Sequence, residues 1–255
     1  MRKFIFLGFL LISLIFLYSL QKTNLQTENQ PKTDDTVLGI PADDKEYYIN
    51  NYKFDYYKVN DISALSLIPN FDEKLTSEQL IEKLECKFLT NAGFYSRENK
   101  PLGLFTYNYK TRSSEIKSSL FNSFLSINDF DTPRITRVSP LDRLRIALQS
   151  GPLLKENAKF LIVKSSNDKK ARRILAGVSG ENELYFFAIY NKDQLYDGPL
   201  LSELPTLVGM IEDKLGVEFA DVINLDGGSA SLFYSPKLYL KELTFSGGFF
   251  CEAKD

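Results

Sequence analysis

The sequence of 255 residues contains no histidine and no tryptophan. Without histidine the chain cannot use a Ser-His-Asp or Cys-His catalytic arrangement, a His-ligated zinc, or an imidazole as acid or base near pH 7. Aromatic contacts must come from 14 tyrosines and 20 phenylalanines. Enzymatic chemistry is therefore restricted to carboxylates, amides, hydroxyls, Lys, Arg, two thiols, or a metal held by oxygen.

The chain also lacks an excess of positive charge. Its 31 Lys and Arg against 33 Asp and Glu give a net charge of −2. This mild acidity argues against nucleic acid as a partner. The hydrophobic share of 44% and the charged share of 25% are typical of a globular protein.

The N-terminal segment predicts export. Arg2 and Lys3 precede a charge-free apolar run over residues 4–20, which is short for a membrane span and long for a cleaved signal sequence. We expect this run to be either an uncleaved anchor in the cytoplasmic membrane or a cleaved signal peptide, with the rest periplasmic or at the cell surface. Residues 21–43 are polar and predict a tether, and residues 44–255 predict one folded domain.

Cys86 and Cys251 are the two cysteines. In an oxidising compartment they can form a disulfide. The alternative is a pair of unpaired buried thiols, because the sequence does not give the distance between them. A catalytic cysteine is disfavoured, since no histidine is present to activate it.

Strand patterns dominate the folded region. A capping-box pattern predicts a helix over about 77–84, and Ser202 as N-cap, with Gly216 after the last turn, predicts another over about 203–215. Residues 139–142 resemble a short helix start, and residues 110–140 give no clear order. The predicted strands are 47–59, 86–90, 102–109, 144–148, 159–164, 174–178, 184–190, 222–225, 232–234 and 243–250. The predicted fold class is α/β mixed (α+β), with a strand-rich mixed or antiparallel sheet core and a few helices packed outside.

Four segments each place a polar side chain where a strand runs into small residues. Singly, they fit turns or a solvated arginine pair. Together they are more specific, because strand ends can bring side chains to one ligand, and glycine allows its close approach. The segments are Asn91–Tyr95, Gln149–Pro152, Arg172–Gly177 and Asn224–Ser229.

In this order the motifs resemble those of the phosphodiester glycosidase family, which includes the lysosomal uncovering enzyme and bacterial exopolysaccharide-associated proteins. The resemblance runs from residue 91 to residue 231, and an arginine before a strand ending in glycine fits Arg173 to Gly177. The matching motifs are N-[AG]-G-F-[FY] at 91–95, P-x-G-L at 101–104, A-x-Q-[ST]-G-P-x-L at 147–154 and N-L-D-G-G-x-S-[ST] at 224–231.

The resemblance implies hydrolysis of a sugar joined through its anomeric carbon to a phosphodiester, in a cell-envelope or extracellular glycan. Arg173 can hold the phosphate, and Asp226 suits a nucleophile or general base at the anomeric carbon. The other predicted substrate-binding residues are Asn91, Tyr95, Gln149, Ser150, Gly151, Arg172, Asn224, Gly227, Gly228 and Ser229. We expect Asn91, Gln149, Arg173 and Asp226 to line one pocket.

Two departures from the family pattern keep other functions open. Ala230 replaces a hydroxyl residue, and residues 110–138 match poorly. The alternatives are a glycan-binding envelope module without turnover and a glycan-phosphodiester transferase. No cofactor is required, although Asp226, Asn224 and carbonyl groups are oxygen donors suited to Ca²⁺ or Mg²⁺. With no histidine, we expect a carboxylate to control the acid side of the pH profile, below the usual histidine range.

Overall fold

The computed structural model describes residues 46–254. The predicted anchor or signal peptide (1–20) and the predicted tether (21–43) lie outside these residues. Within the described part of the chain, no helix is long and apolar enough to cross a membrane.

Seventeen strands form three sheets, and every pairing between these strands is antiparallel within residues 46–254. The first sheet has seven strands. In spatial order they are β1 (Tyr47–Ile49), β2 (Tyr52–Lys58), β13 (Leu184–Asn191), β12 (Arg173–Ser179), β14 (Phe219–Asn224), β10 (Leu153–Glu156) and β11 (Lys159–Phe160).

The other two sheets have five strands each. The second runs β16 (Leu238–Leu240), β15 (Phe233–Ser235), β4 (Cys86–Asn91), β17 (Gly248–Ala253) and β3 (Leu65–Pro69). The third runs β6 (Lys110–Ser113), β5 (Phe105–Tyr107), β9 (Leu144–Ser150), β7 (Ser123–Asn128) and β8 (Pro133–Thr136).

One core joins the three sheets. It contains Ile174 and Phe186 from the first sheet, Phe88 and Phe250 from the second, and Leu148 from the third. β12 is buried along its whole length. One of its faces packs into this core, and a helix covers the opposite face. A strand covered on both faces reads as a continuous apolar run, as this one does.

Two α-helices pack on the sheets of the described chain. α1 (Ser77–Leu84) begins after Thr76, which forms the predicted capping box with Gln79. α2 (Leu204–Leu215) ends at Gly216, whose φ of 68° is the left-handed conformation that favours glycine. Apolar side chains of α2, among them Leu207 and Ile211, join the cluster that covers the outer face of the first sheet.

The structure corrects two local predictions and orders one segment that the sequence left open. Residues 139–142 form no helix, and the segment 137–143 only connects β8 to β9. Residues 110–140 contain three strands, β6, β7 and β8. Ser202 does not cap α2: it lies in a 3-10 turn, Leu201–Glu203, and its hydroxyl donates to Asp168 at 2.8 Å.

The fold class is correct in its strand-rich, antiparallel core, but the protein is more β than the predicted mixture. The excess comes from short strands at sheet edges, such as β6 and β16, whose three or four residues are too few for a clear period-two pattern.

Candidate active site

The polar segments noted in the sequence meet where strands of all three sheets end. Asn91 ends β4, Ser150 ends β9 and Asn224 ends β14, whereas Arg173 begins β12. Since β12 and β14 are antiparallel neighbours, the end of one lies beside the start of the other, and Leu225 N–H donates to the Ile174 carbonyl at 2.8 Å.

A cleft of about 190 Å³ lies at this junction. It joins one carboxylate, two cationic side chains, glycine backbone and apolar side chains. Its lining residues are Phe94, Leu120, Gly151, Asn167, Lys169, Ala171, Arg173, Leu201, Asn224, Asp226, Gly227 and Gly228. We call it the Asp226 cleft.

Asp226 supplies the carboxylate. Its main chain is fixed on both sides, because its N–H donates to the Ala92 carbonyl at 3.1 Å and its carbonyl accepts from the Asn91 side chain at 2.6 Å. Desolvation raises the pKa of the Asp226 carboxyl to about 7, although the Gly227 N–H and the positive charge of Arg173 act in the opposite direction. A desolvated carboxyl in a cleft, with a pKa near neutrality, is typical of an acid–base group.

Arg173 is held by two backbone carbonyls. Its Nε donates to Pro199 at 3.0 Å and its Nη2 donates to Lys169. Nη1 makes no hydrogen bond within residues 46–254 and lies 3.7 Å from the position that a Cβ on Gly227 would occupy. The guanidinium is therefore oriented by the fold and keeps one nitrogen for a ligand.

Asp168 fixes the segment that carries Arg173. Its carboxylate accepts from the N–H groups of Leu201 and Ser202 at 2.8 and 3.0 Å, and lies 3.7 Å from Nη2 of Arg173. Burial raises the pKa of Asp168, but these hydrogen bonds outweigh it and leave the pKa below its ordinary value. The carboxylate thus stays charged and helps to orient the arginine.

Asn224 leaves one polar atom unpaired. The residue is 1% exposed, and its amide nitrogen donates to the carbonyls of Gly151 and Leu225 at 2.9 and 2.6 Å. Its Oδ1 is buried without a hydrogen-bond partner in the described chain. A buried acceptor that lacks a partner is costly, and this one belongs to a residue that lines the cleft.

The glycines shape the cleft, and the backbone N–H groups of Gly227 and Gly228 are engaged within the protein. Gly228 N–H donates to the Arg172 carbonyl at 2.9 Å, and Gly227 N–H faces the Asp226 carboxylate. A Cβ on Gly151 would lie 2.2 Å from the Leu120 carbonyl oxygen, so this position requires glycine.

Arg172 does not line the cleft. Its side chain is buried and donates to the Ser231 hydroxyl at 2.7 Å and to the carbonyls of Ser231, Leu195 and Lys241. Desolvation lowers the pKa of Arg172 to about 10, which leaves it charged at neutral pH. The predicted contact with substrate is replaced by an internal role, because backbone carbonyls occupy the guanidinium.

Gln149 and Ser150 also serve the fold. The Gln149 Oε1 accepts from the N–H groups of Leu104 and Ile116, and its Nε2 donates to the carbonyls of Ile116 and Phe121. The Ser150 hydroxyl donates to the Asn224 carbonyl at 2.9 Å. Neither side chain lines the cleft, which differs from their predicted role as substrate contacts.

Asn91, Tyr95 and Ser229 lie beside the cleft without lining it. The Asn91 side chain links β4 to the segment after β14. Its amide nitrogen donates to the Asp226 carbonyl, and its Oδ1 accepts from the Leu232 N–H. The Tyr95 hydroxyl donates to the Phe245 carbonyl, and burial together with the nearby charge of Asp226 raises its pKa, but its neighbour Phe94 is the aromatic residue that lines the cleft. Ser229 is exposed, and its hydroxyl accepts from Thr244 at 3.1 Å.

Of the four residues expected in one pocket, the structure therefore brings together Arg173 and Asp226, and leaves Asn91 and Gln149 outside. Asn167 and Lys169, which lie on the segment between β11 and β12, also line the cleft and were not predicted from the sequence. The available signal was a polar run, Asn167–Lys170, which only Ala171 separates from the arginine pair.

The two cysteines form a disulfide between β4 and β17. The bridge is buried in a cluster with Leu80, Leu89 and Phe249. Within the described chain, no group of three or more His, Cys, Asp or Glu residues could hold a metal ion.

Comparison with known proteins gives a family match over most of this region. A family model described as phosphodiester glycosidase matches residues 85–248. This span contains the whole Asp226 cleft. No curated protein sequence gives a match.

Solved structures share the fold at low sequence identity. The catalytic domain of zebrafish N-acetylglucosamine-1-phosphodiester alpha-N-acetylglucosaminidase, auto-inhibited by its pro-peptide, aligns with a TM-score of 0.58 and 11% identity over 81% of this chain and 85% of its own. A hypothetical protein from Synechocystis gives 0.61 and 14% over 81% and 60%. A Burkholderia pseudomallei protein provisionally described as exported gives 0.56 and 11% over 80% and 74%.

Proposed function

The chain belongs to the phosphodiester glycosidase family, and from that premise we propose that it hydrolyses the bond between the anomeric carbon of a sugar and a phosphodiester. The single observation that supports this most is the pairing of Asp226 with Arg173 on one cleft. A carboxyl with a pKa near 7 and an oriented guanidinium are the groups that such a hydrolysis needs.

Arg173 binds the phosphate in this proposal. The substrate carries one negative charge on its phosphodiester. Nε and Nη2 of Arg173 donate to backbone carbonyls, whereas Nη1 lies 3.7 Å from the position of a Cβ on the cleft residue Gly227 and is left for the phosphate. Lys169, exposed on the same cleft, adds a second positive charge. A guanidinium oriented before the substrate arrives stabilises charge that develops on the leaving phosphate without reorganising.

Asp226 acts on the anomeric carbon. As general base its carboxylate takes a proton from water, and the water oxygen bonds to the anomeric carbon. The bond from that carbon to the phosphate oxygen breaks, and its electron pair leaves with the phosphate. As nucleophile the carboxylate would form that bond first, and water would then release the sugar.

The leaving group explains why one carboxylate is sufficient. The product is a phosphate monoester, whose second pKa is about 6, so it departs at neutral pH without a strong general acid. This suits a chain without histidine and a cleft whose lining holds one carboxylate.

A resident metal is not part of the proposal. Three side chains that line this cleft carry oxygen donors: the Asp226 carboxylate and the amides of Asn167 and Asn224. Ca²⁺ takes about six to eight oxygen ligands. The chemistry above is therefore assigned to the side chains alone.

Ala230 motivates the alternative of a binding module that has lost turnover. However, Ala230 is 5% exposed inside a 3-10 turn, Gly228–Ala230, and is not among the residues that line the cleft. The departure from the family pattern therefore leaves the Asp226–Arg173 pair intact, and we favour the enzyme over the module and over a transferase.

We further propose that the protein acts outside the cytoplasm on cell-envelope or extracellular glycans. The disulfide supports this location, because such bonds persist in oxidising compartments. The apolar run at 4–20 also supports export. Tethering of the protein to the cytoplasmic membrane by that run stays a prediction from the sequence.

Release of free sugar tests the proposed function. The full chain is incubated with a methyl phosphodiester of GlcNAc-1-phosphate and with UDP-GlcNAc, and free GlcNAc is measured. We expect Asp226→Asn and Arg173→Ala to abolish release. Asp221→Asn is the matched control, since Asp221 lies on β14, the strand that precedes Asp226, and its pKa is likewise raised by desolvation, but it does not line the cleft. Full activity of D226N would overturn the assignment.

A further inference from the structure

A second, larger depression adjoins the Asp226 cleft. Its volume is about 540 Å³, and it shares Leu120 with the cleft, while its Pro152 directly follows the cleft residue Gly151. We call it the Leu120 groove. We propose that the Leu120 groove binds the part of the substrate beyond the scissile phosphate, so that the substrate is a chain of phosphodiester-linked sugars. This inference rests on the proposed function.

The sizes of the two spaces favour a chain. Pockets for ligands of drug size hold about 300–1,000 Å³. The Asp226 cleft, at about 190 Å³, is smaller than that range, and the Leu120 groove, at about 540 Å³, lies within it. A substrate with one sugar and a small ester would fill the cleft and leave the groove without a role.

The charge of the groove fits a repeated phosphate. Arg137 and Lys164 line it, and no Asp or Glu does. Arg137 is engaged by Glu156 at 2.8 and 3.1 Å, whereas Lys164 makes no ion pair within residues 46–254 and is exposed. Lys164 is thus the cation available for a second phosphodiester.

The rest of the lining suits a sugar. Ile162 is 88% exposed on the groove wall, where an apolar surface can pack against the face of a pyranose ring. Asn122 Oδ1 accepts from the Leu153 N–H at 2.9 Å, and this anchors the amide beside the groove. Its Nδ2 makes no hydrogen bond in the described chain and can donate to a sugar hydroxyl.

One segment connects the two spaces. Residues 161–166 line the groove, and Asn167, Lys169 and Ala171 line the cleft. A ligand that extends from Arg173 toward Lys164 therefore follows one continuous stretch of chain. This continuity is the reason to assign the groove to the substrate of the cleft and not to a separate ligand.

The test compares a short and a long probe on the full chain. The short probe is the methyl phosphodiester of GlcNAc-1-phosphate, and the long probe is a synthetic tetramer of GlcNAc joined by 1-phosphodiester linkages. We expect kcat/KM for the tetramer to exceed that for the short probe by about tenfold, which corresponds to the low end for one charge-assisted hydrogen bond. Lys164→Ala should abolish this preference for the tetramer, and Ile162→Ser should reduce it.

Lys170→Ala is the matched control, because Lys170 is exposed on the same segment but lines neither space. The proposed role of the groove is overturned, while the proposed function stands, in either of two cases. The wild-type ratio of kcat/KM for the tetramer to kcat/KM for the short probe is near one, or K164A and I162S leave that ratio unchanged. If neither probe is cleaved, the proposed function fails. Kd values of the two probes, measured by calorimetry, then test whether the groove binds the longer ligand. Tighter binding of the tetramer that K164A weakens supports it, and equal or absent binding overturns it.

Discussion

Arg172 and Arg173 are adjacent in sequence, but their guanidinium groups bind different partners. Arg172 is 1% exposed and donates to the Ser231 hydroxyl and to three backbone carbonyls. Arg173 lines the Asp226 cleft, and its Nη1 makes no hydrogen bond within residues 46–254. Arg173 is the first residue of β12 and Arg172 directly precedes it in the chain, and successive residues of extended backbone point to opposite sides.

Lysine substitutions should separate the two arginines. Arg173→Lys keeps the charge but loses the planar fork, so we expect kcat/KM to fall by about 100-fold, as when one oriented donor to a transition state is lost. Arg172→Lys should instead lower the free energy of unfolding by about 3 kcal/mol, because buried carbonyls lose their donors. Urea unfolding and sugar release measure both effects. The opposite pattern would show that Arg172 is the phosphate ligand.

The pH profile should identify Asp226. A general base must be ionised, so kcat/KM should rise with pH and level off above an apparent pKa near 7, the value to which desolvation raises this carboxyl. The sequence had suggested a carboxylate limb below the histidine range, and burial moves it into that range. Because the chain has no histidine, such a limb cannot come from imidazole.

The same shift has a consequence for stability. A carboxyl whose pKa is higher in the folded state than in the unfolded state binds more protons when folded, so stability should fall as pH rises from about 4 to about 7. Asp226→Asn removes the titrating group and should flatten this part of the stability profile. An unchanged slope in D226N would place the titration elsewhere.

Removal of divalent cations should leave activity intact. The side chains that line the cleft offer one carboxylate and two amides as oxygen donors, which are too few for a tight Ca²⁺ or Mg²⁺ site. We therefore expect dialysis against EDTA to change kcat/KM by less than about twofold, with UDP-GlcNAc excluded from this assay because its diphosphate binds metal itself. Loss of activity that Ca²⁺ or Mg²⁺ restores would add a metal to the mechanism.

The sequence was most informative where one local interaction determines the structure. The capping box at Thr76 and the glycine at 216 mark the helix start and end that the structure shows. The three strands within residues 110–140 escaped prediction. β6 is exposed along most of its length, and β7 is buried on both faces, so neither alternates between apolar and polar residues.

For the site, the motifs indicated segments that meet at the Asp226 cleft, but not the direction of each side chain. Gln149 and Asn224 are both amides at strand ends, and only the fold distinguishes them. The Gln149 side chain forms hydrogen bonds with backbone groups, whereas Asn224 lines the cleft. Lys169 lies on a segment without a family motif, and its place on the same cleft as Asp226 depends on long-range packing.

The disulfide should contribute substantially to stability. It joins residues 165 positions apart, and cross-links that close long loops typically add about 2–5 kcal/mol. We expect a Cys86→Ala, Cys251→Ala double variant to lose stability in this range by urea unfolding, with a similar loss on reduction of the wild-type protein. A loss below about 1 kcal/mol in both measurements would contradict this role.

Gln149 should prove to be a positioning residue and not a substrate contact. Its amide makes four hydrogen bonds to the backbone of the segment 104–121, and a Cβ on Gly103, whose φ is 95°, would lie 2.3 Å from its Oε1. The two glycosidase-like motifs are thus locked together at this point. Gln149→Ala leaves buried groups unpaired, so we expect a loss of about 2–4 kcal/mol in the free energy of unfolding.

The matched control is Gln194→Ala, since Gln194 is exposed and such a change should stay within about 0.5 kcal/mol. A substrate contact would behave differently from a positioning residue. It would raise KM in Q149A at a temperature where the variant is fully folded, and it would leave the unfolding transition unchanged. Because Leu120 belongs to the region that Gln149 holds and also lines the cleft, any rise in KM should instead appear only as the protein begins to unfold.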